Sequence, residues 1–203
     1  MRNKLNSYKE KITKEEISLL PVNKFEGEIY VVDNVSDVAK CAKYLKQHSV
    51  LGFDTETKPS FKKGQTNKVS LLQLSTHERA YLFRLNKIGL PNELCDVLSD
   101  QEIEKVGVAI SDDITSLQRL NPFPPLGYVE LQQYVKYFGI EDNGLKKLTA
   151  NILGFNISKR QQTSNWEADM LNEKQAIYAA TDAWVCFEIY DALNKHIPEE
   201  DIA

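Results

Sequence analysis

Asp54 and Glu56 stand two apart in LGFDTET, Asp113 lies in GVAISDDITSL, and Asp182 follows Tyr178 by four in YAATDAW. Hard divalent cations take oxygen ligands of this kind, and the chain offers four carboxylates from three separated segments. Two such cations on a phosphodiester drive in-line attack by water, so the pattern points to metal-dependent phosphodiester hydrolysis. Side chains on a strand alternate faces, so a strand through VLGFDTE turns Asp54 and Glu56 to the same side. Two like charges held side by side are costly without a compensating cation. Tyr178 and Asp182 are one helical turn apart and share a face. Asp113 falls in the first turn of a predicted helix, where the helix dipole itself favours negative charge. Spacing alone does not separate Asp113 from Asp112.

The elements that must position these groups are legible in outline. EIYVVD (28–33) reads as a β-branched strand, residues 36–47 as a helix with Val38, Ala42 and Leu45 on one face, and VLGFDTE (50–56) as the next strand. VSLLQLST (69–76) and AYLFRL (80–85) form a hairpin across THER. A short helix at 91–98 precedes the strand EKVGVAI (104–110), and Ser111 or Asp112 caps the helix that runs on to Leu120. NPFPPLG (121–127) breaks the chain. Beyond it VELQQYVKYFG, GLKKLTANILG and residues 173–196 all show helical spacing. Asn172 and Gln175 cap the last helix, whose packing stripe reads as Ala176, Ala180, Ala183, Phe187 and Tyr190, with Tyr178 and Asp182 beside it. The fold class is α/β, a mixed sheet covered by helices.

A chain of 203 residues with 42% hydrophobic content suits one domain with a sizeable core. The net charge of −4 is not that of a protein that coats nucleic acid nonspecifically. It does not exclude a nucleic-acid enzyme, because a carboxylate site repels phosphate until metal fills it. Residues 1–24 carry six Lys/Arg and three Glu, a net +3; so basic an arm could touch nucleic acid, but it reads first as a solvated tail. Within the arm, Thr13 and Glu16 have capping-box spacing before a short helix that Pro21 stops. Cys41, Cys95 and Cys186 are widely spaced and odd in number, which fits buried thiols in the cytoplasm. The N-terminal residues lack an apolar signal core, and no run approaches the length of a membrane helix. Phosphate-loop, HExxH and GxSxG motifs are absent.

In chain order the sequence offers strand-DxE, strand-x-DD-helix and helix-YxxxD. This resembles the DEDD superfamily of 3′–5′ exonucleases in its tyrosine-bearing branch, and more narrowly the Werner-type exonuclease domains, with ribonuclease D more distant. The carrying segments are VLGFDTET, KVSLLQLST, AYLF, KVGVAISDDITSL, GLKKLTANILG, QTSNW and YAATDAWVCFEIY, and the resemblance spans about residues 28–195. The family pattern, counted from Gly107, falls on Asp113. The histidine branch would put His at Ile177, whereas Tyr178 matches the tyrosine directly.

The resemblance implies a ribonuclease-H-like fold over residues 25–203 behind the arm of residues 1–24. It implies two Mg2+ or Mn2+ ions. Asp54 would bridge them, Glu56 and Asp182 would hold the one that activates water, and Asp113 would support the other. Tyr178 would orient the attacking water, and a nucleoside 5′-monophosphate would be released. The expected substrate is nucleic acid with single-stranded or 3′-recessed ends, with the motif details tilting towards DNA. A ribonuclease D-like trimming enzyme or a catalytically silent binding module are the alternatives. The enzyme would work alone or lend its activity to a helicase or repair partner in trans. Lys58, Lys62, Lys63, Lys68, Lys146, Lys147, Lys159 and Arg160 are candidates to meet phosphates. Phe61 is a candidate to stack on a terminal base. Trp166 reads as a packing anchor.

Overall fold

A computed structural model describes residues 8–60 and 67–195. Among these, six strands form one mixed sheet in the order β1-β4-β3-β2-β5-β6. They are β1 (Glu28–Val32), β2 (Val50–Thr57), β3 (Val69–Ser75), β4 (Arg79–Phe83), β5 (Glu104–Gly107) and β6 (Tyr128–Glu130). β3 runs antiparallel to its neighbours β2 and β4, and the remaining pairs are parallel. The helices in chain order are α1 (Lys14–Leu19), α2 (Val35–Leu45), α3 (Leu85–Ile88), α4 (Asn92–Leu98), α5 (Ser111–Gln118), α6 (Leu131–Tyr134), α7 (Leu145–Leu148) and α8 (Glu173–Asn194).

The alternation of β2 divides the two sides of the sheet. Leu51 and Phe53 face a core shared with Val38 and Leu45 of α2, Leu94 and Leu98 of α4, and Leu117 of α5. Gly52, Asp54 and Glu56 face the other way, towards α8. That helix lies close against β2 because residue 52 has no side chain. A Cβ added to Gly52 would sit 1.9 Å from the Ala183 carbonyl oxygen. Cys186, Ile189 and Leu193 carry the far half of α8 into a second core with Leu131, Val135, Phe138 and Leu148. The near half, through Tyr178, Ala179 and Ala180, packs with Phe25, Leu71, Leu82 and the fully buried Trp166. Trp166 is thus the packing anchor its sequence context suggested.

Several expected elements are redrawn. Residues 128–130 are a strand, not the start of a helix: β6 covers the open edge of β5 before the chain turns into α6 and a 3-10 turn over Val135–Phe138. β5 ends at Gly107 rather than at 110. Ala109 there takes a positive φ of 59°, a conformation few side-chain-bearing residues adopt. The start of α5 is not capped by Ser111 or Asp112; Ile110 occupies the cap with no side-chain bond. Instead the Glu130 carboxylate accepts from the N–H groups of Ala109 (3.0 Å) and Ile110 (2.9 Å). β4 stops at Phe83 and Leu85 begins α3. GLKKLTANILG is helical, but widens to a π-helix over Thr149–Leu153.

The arm is not a solvated tail over residues 8–24. Its capping box at Thr13 and Glu16 forms, and Ile12 and Ile17 are buried against Ala150. Ile12 N–H donates to Asp142 at 2.6 Å, and Asn23 N–H to the Asn156 carbonyl at 2.8 Å. The amphipathic spacing of Ile12, Ile17 and Leu20 supplies the apolar area that ties it down.

Candidate active site

β2 and α8 bring three of the four acidic candidates together. Oxygens of Asp54, Glu56 and Asp182 all lie within 4.8 Å of one another. The strand's period of two puts Asp54 and Glu56 on one face, and the close seat of α8 on Gly52 sets Asp182 over them. The apolar stripe expected on α8 is corrected by this packing. Tyr178 and Asp182 are themselves on the buried side, while Ala176 and Phe187 are only partly buried. A helix enclosed by a sheet on one side and α7 on the other has no single apolar stripe.

Asp113 stands beside the trio rather than in it. Its carboxylate accepts a 2.5 Å hydrogen bond from the Thr55 hydroxyl on β2, and it is half-buried where Asp112 is exposed. Asp113, the aspartate assigned by the resemblance, is thus the one of the pair bonded to β2. Sequence reading missed Glu130, which bonds the turn that carries Asp113. Its segment, VELQQYVKYFG, read as helix throughout, so no spacing signal pointed to it.

The carboxyls share one electrostatic problem. Burial pushes the Asp54 carboxyl well up, and the Asp182, Glu56 and Asp113 charges add to this. Burial and the Asp182 and Asp113 charges push Glu56 up to about 9. Burial raises Asp113 to about 6, against the Thr55 hydrogen bond that lowers it. Burial raises Asp182 to about 7, partly offset by hydrogen bonding from Tyr178 and by the Lys159 charge. The Tyr178 phenol is pushed far above its ordinary value by burial and by the carboxylates around it. A donor set of carboxylate oxygens alone, each disfavoured as an anion, fits hard divalent cations, which remove that penalty. Gln73 adds to the polarity of this face. It pairs with Asp54 across the strands, is fully buried, and has no protein partner for either amide atom among the described residues.

The trio and Tyr178 line a cavity of about 210 Å3. Its far wall is a strap over residues 157–162, from which Ile157, Lys159 and Gln162 reach the cavity. Tyr178 is braced by Trp166, with ring centroids 5.9 Å apart. Of the other candidates, Lys58 is paired with Glu167 at 3.0 Å. Lys68 is exposed, and Phe61, Lys62 and Lys63 lie outside the described residues.

Comparison with known proteins agrees with this geometry. Residues 29–198 match the 3′-5′ exonuclease family model. The bifunctional 3′-5′ exonuclease/ATP-dependent helicase WRN of Mus musculus is 32% identical over 186 residues, covering 87% of this chain and 13% of that protein. The Nibbler EXO domain of Aedes aegypti superposes with a TM-score of 0.77 at 27% identity, over 86% of this chain and 92% of that one. Escherichia coli RNase D shares the fold, with a TM-score of 0.74 at 21% identity over 83% of this chain and 45% of that one. The chain spans 13% to 41% of the length of the curated relatives it matches. It belongs to the 3′-5′ exonuclease family of the DEDD superfamily, and its sheet and helices are the ribonuclease-H-like fold of those enzymes.

Proposed function

We propose that this chain is a metal-dependent 3′–5′ exonuclease of the tyrosine branch, releasing nucleoside 5′-monophosphates from nucleic acid. The observation that carries the reading is the convergence of Asp54, Glu56 and Asp182 within 4.8 Å in one cavity. Asp54, Glu56 and Asp182, with Asp113 beside them, would hold two Mg2+ or Mn2+ ions. Such ions lower the pKa of the attacking water and stabilise the leaving 3′ oxygen.

The chain's own groups do the rest. Tyr178, its phenol held protonated at neutral pH, orients the attacking water by hydrogen bonding and does not act as its base. Lys159 and Gln162 face the carboxylates across the cavity, where a cation and an amide can bind the phosphate that undergoes attack. The water oxygen bonds to phosphorus, the P–O3′ bond breaks, and the shortened strand keeps a 3′-hydroxyl.

DNA is the favoured substrate, on the motif details shared with the Werner-type domains and the likeness to a relative whose name joins exonuclease and helicase. A helicase or repair partner acting in trans would present frayed or recessed 3′ ends. The three buried free thiols suit the reducing cytoplasm. A 5′-labelled oligonucleotide assay with Mg2+ or Mn2+, on DNA and RNA side by side, tests the reading. It predicts a ladder of shortened products that EDTA abolishes, stronger on DNA. A stronger ladder on RNA reassigns the substrate, and no ladder on either defeats the proposal.

A further inference from the structure

A second depression of about 480 Å3 adjoins the carboxylate cavity, between the arm and α7. Lys14 and Ile17 of α1 form one wall, Gly144, Lys146 and Lys147 the other, and Lys159 of the strap the end. Lys159 lines both depressions, at the end of the groove and on the wall of the carboxylate cavity. Four lysines line it, from three separated segments of a chain whose net charge is −4, and among the described residues no carboxylate residue lines the groove.

The walls are assembled by the fold itself. Asp142, buried, accepts from Ile12 N–H on the arm at 2.6 Å and pairs with Lys147 at 2.5 Å. Asn151 closes a second tie, its side chain accepting from Lys9 N–H at 3.1 Å and donating to the Lys9 carbonyl at 2.6 Å. The other three lysines have no close partner: among the described residues the ammonium groups of Lys14, Lys146 and Lys159 make neither a hydrogen bond nor an ion pair, and Lys14 and Lys159 are exposed. Like charges gathered on one concave surface repel one another and concentrate anions. A strand whose end lies in the carboxylate cavity carries one phosphate per nucleotide, and its backbone supplies the complementary series of charges.

We propose that this groove holds the phosphates of the substrate strand on the 5′ side of the scissile bond, which makes the N-terminal arm part of the substrate-binding surface. The direction of the strand rests on the exonuclease reading; the binding does not. The other side of the strap provides an internal comparison. There Lys24, Arg160 and Lys174 line a depression of about 390 Å3 that Glu26 and Tyr178 share, so it too borders the site, but with a carboxylate among its basic groups and without Lys159.

The test is the affinity of the full chain for fluorescein-labelled thymidylate trimer and dodecamer in Ca2+, measured by anisotropy across a salt series. The wild type should bind the dodecamer more tightly, with a steep salt dependence. The double variant Lys14→Gln/Lys146→Gln should lose most of the length advantage. Its slope of log K against log salt should be shallower by about 1.4, about 0.7 for each single-strand phosphate contact removed. Lys14→Arg/Lys146→Arg should restore the slope, which a merely misfolded arm would not allow. Lys24→Gln/Lys174→Gln should leave it as in the wild type. An unchanged slope in the Lys14/Lys146 variant, or an equal loss in the Lys24/Lys174 variant, overturns the proposal. A wild type that shows this binding yet trims neither DNA nor RNA sinks the catalytic reading and leaves the groove standing. One that trims while the Lys14/Lys146 variant keeps its slope does the reverse.

Discussion

The carboxylate cavity and the lysine groove share one side chain, Lys159, and are built on opposite plans. The cavity gathers like charges on a strand and a long helix, half-buried at Asp54 and Glu56 and buried at Asp182, with Gly52 letting the helix backbone settle onto the sheet. The groove gathers like charges on a short helix, a helix start and a strap, with two of its ammonium groups exposed to solvent. Exposed ammonium groups stay hydrated and repel weakly, so flexible lysines can form a track without costing the fold much. Buried carboxylates repel strongly, so they need rigid elements to hold them and a cation to relieve them. Positions in the cavity should therefore tolerate no displacement, and those in the groove should act singly and mildly.

The largest effect expected from that contrast is in the cavity's charges. Asp54→Ala or Asp182→Ala should each lower turnover by about three orders of magnitude or more, because the acidic groups act as a unit. A residual rate within tenfold of wild type in Asp54→Ala would show that the cavity is not where cleavage occurs. Gly52→Ala changes no charge but forces a Cβ to within 1.9 Å of the Ala183 carbonyl oxygen. It should shift Asp182 off Asp54 and lower turnover about 10²-fold, with a stability loss of roughly 1–3 kcal/mol. Wild-type melting and turnover in that variant would mean the helix seat does not set the geometry. Tyr178→Phe should reduce kcat by no more than about 10²-fold while Mn2+ affinity, followed by calorimetry, stays near wild type. Lost metal binding there would contradict a water-orienting role.

The smallest effect is a pH dependence of stability. Glu56 is raised to about 9, Asp182 to about 7 and Asp113 to about 6, all above their unfolded values. The folded, metal-free protein therefore binds more protons than the unfolded chain between about pH 4 and 9. Across that window these groups make stability fall as pH rises; below it they contribute nothing. Thermal melts in EDTA should show Tm declining from pH 5 to 8.5, a decline that Glu56→Gln flattens. The Tm gain from added Mn2+ should grow over the same range, since metal binding displaces those protons. A metal-induced gain independent of pH would place the cation elsewhere.

What the sequence disclosed follows from which periodicities are local. Asp54 with Glu56, and Tyr178 with Asp182, are set by the strand and helix repeats, so the spacing alone reveals their shared faces. The capping boxes at Thr13 and Asn172 were legible for the same reason. Other features depend on segments far apart in the chain. β6 forms because β5 offers an open edge, and Glu130 matters because that pairing brings it to the turn before α5. The burial of Tyr178 and Asp182 depends on Gly52, which no spacing within α8 reveals. The arm's docking depends on Asp142, 130 residues from the N–H it accepts. Lys146 and Lys159 are phosphate candidates on sequence, but Lys14 is not, and only folding sets the three around one groove.

The most direct test of the central claim is anomalous diffraction from crystals grown or soaked with Mn2+. Density for Mn2+ between Asp54, Glu56 and Asp182, lost in Asp54→Asn crystals, is the predicted result. A fully occupied Mn2+ site elsewhere on the molecule, with none bound by these three carboxylates, would contradict it.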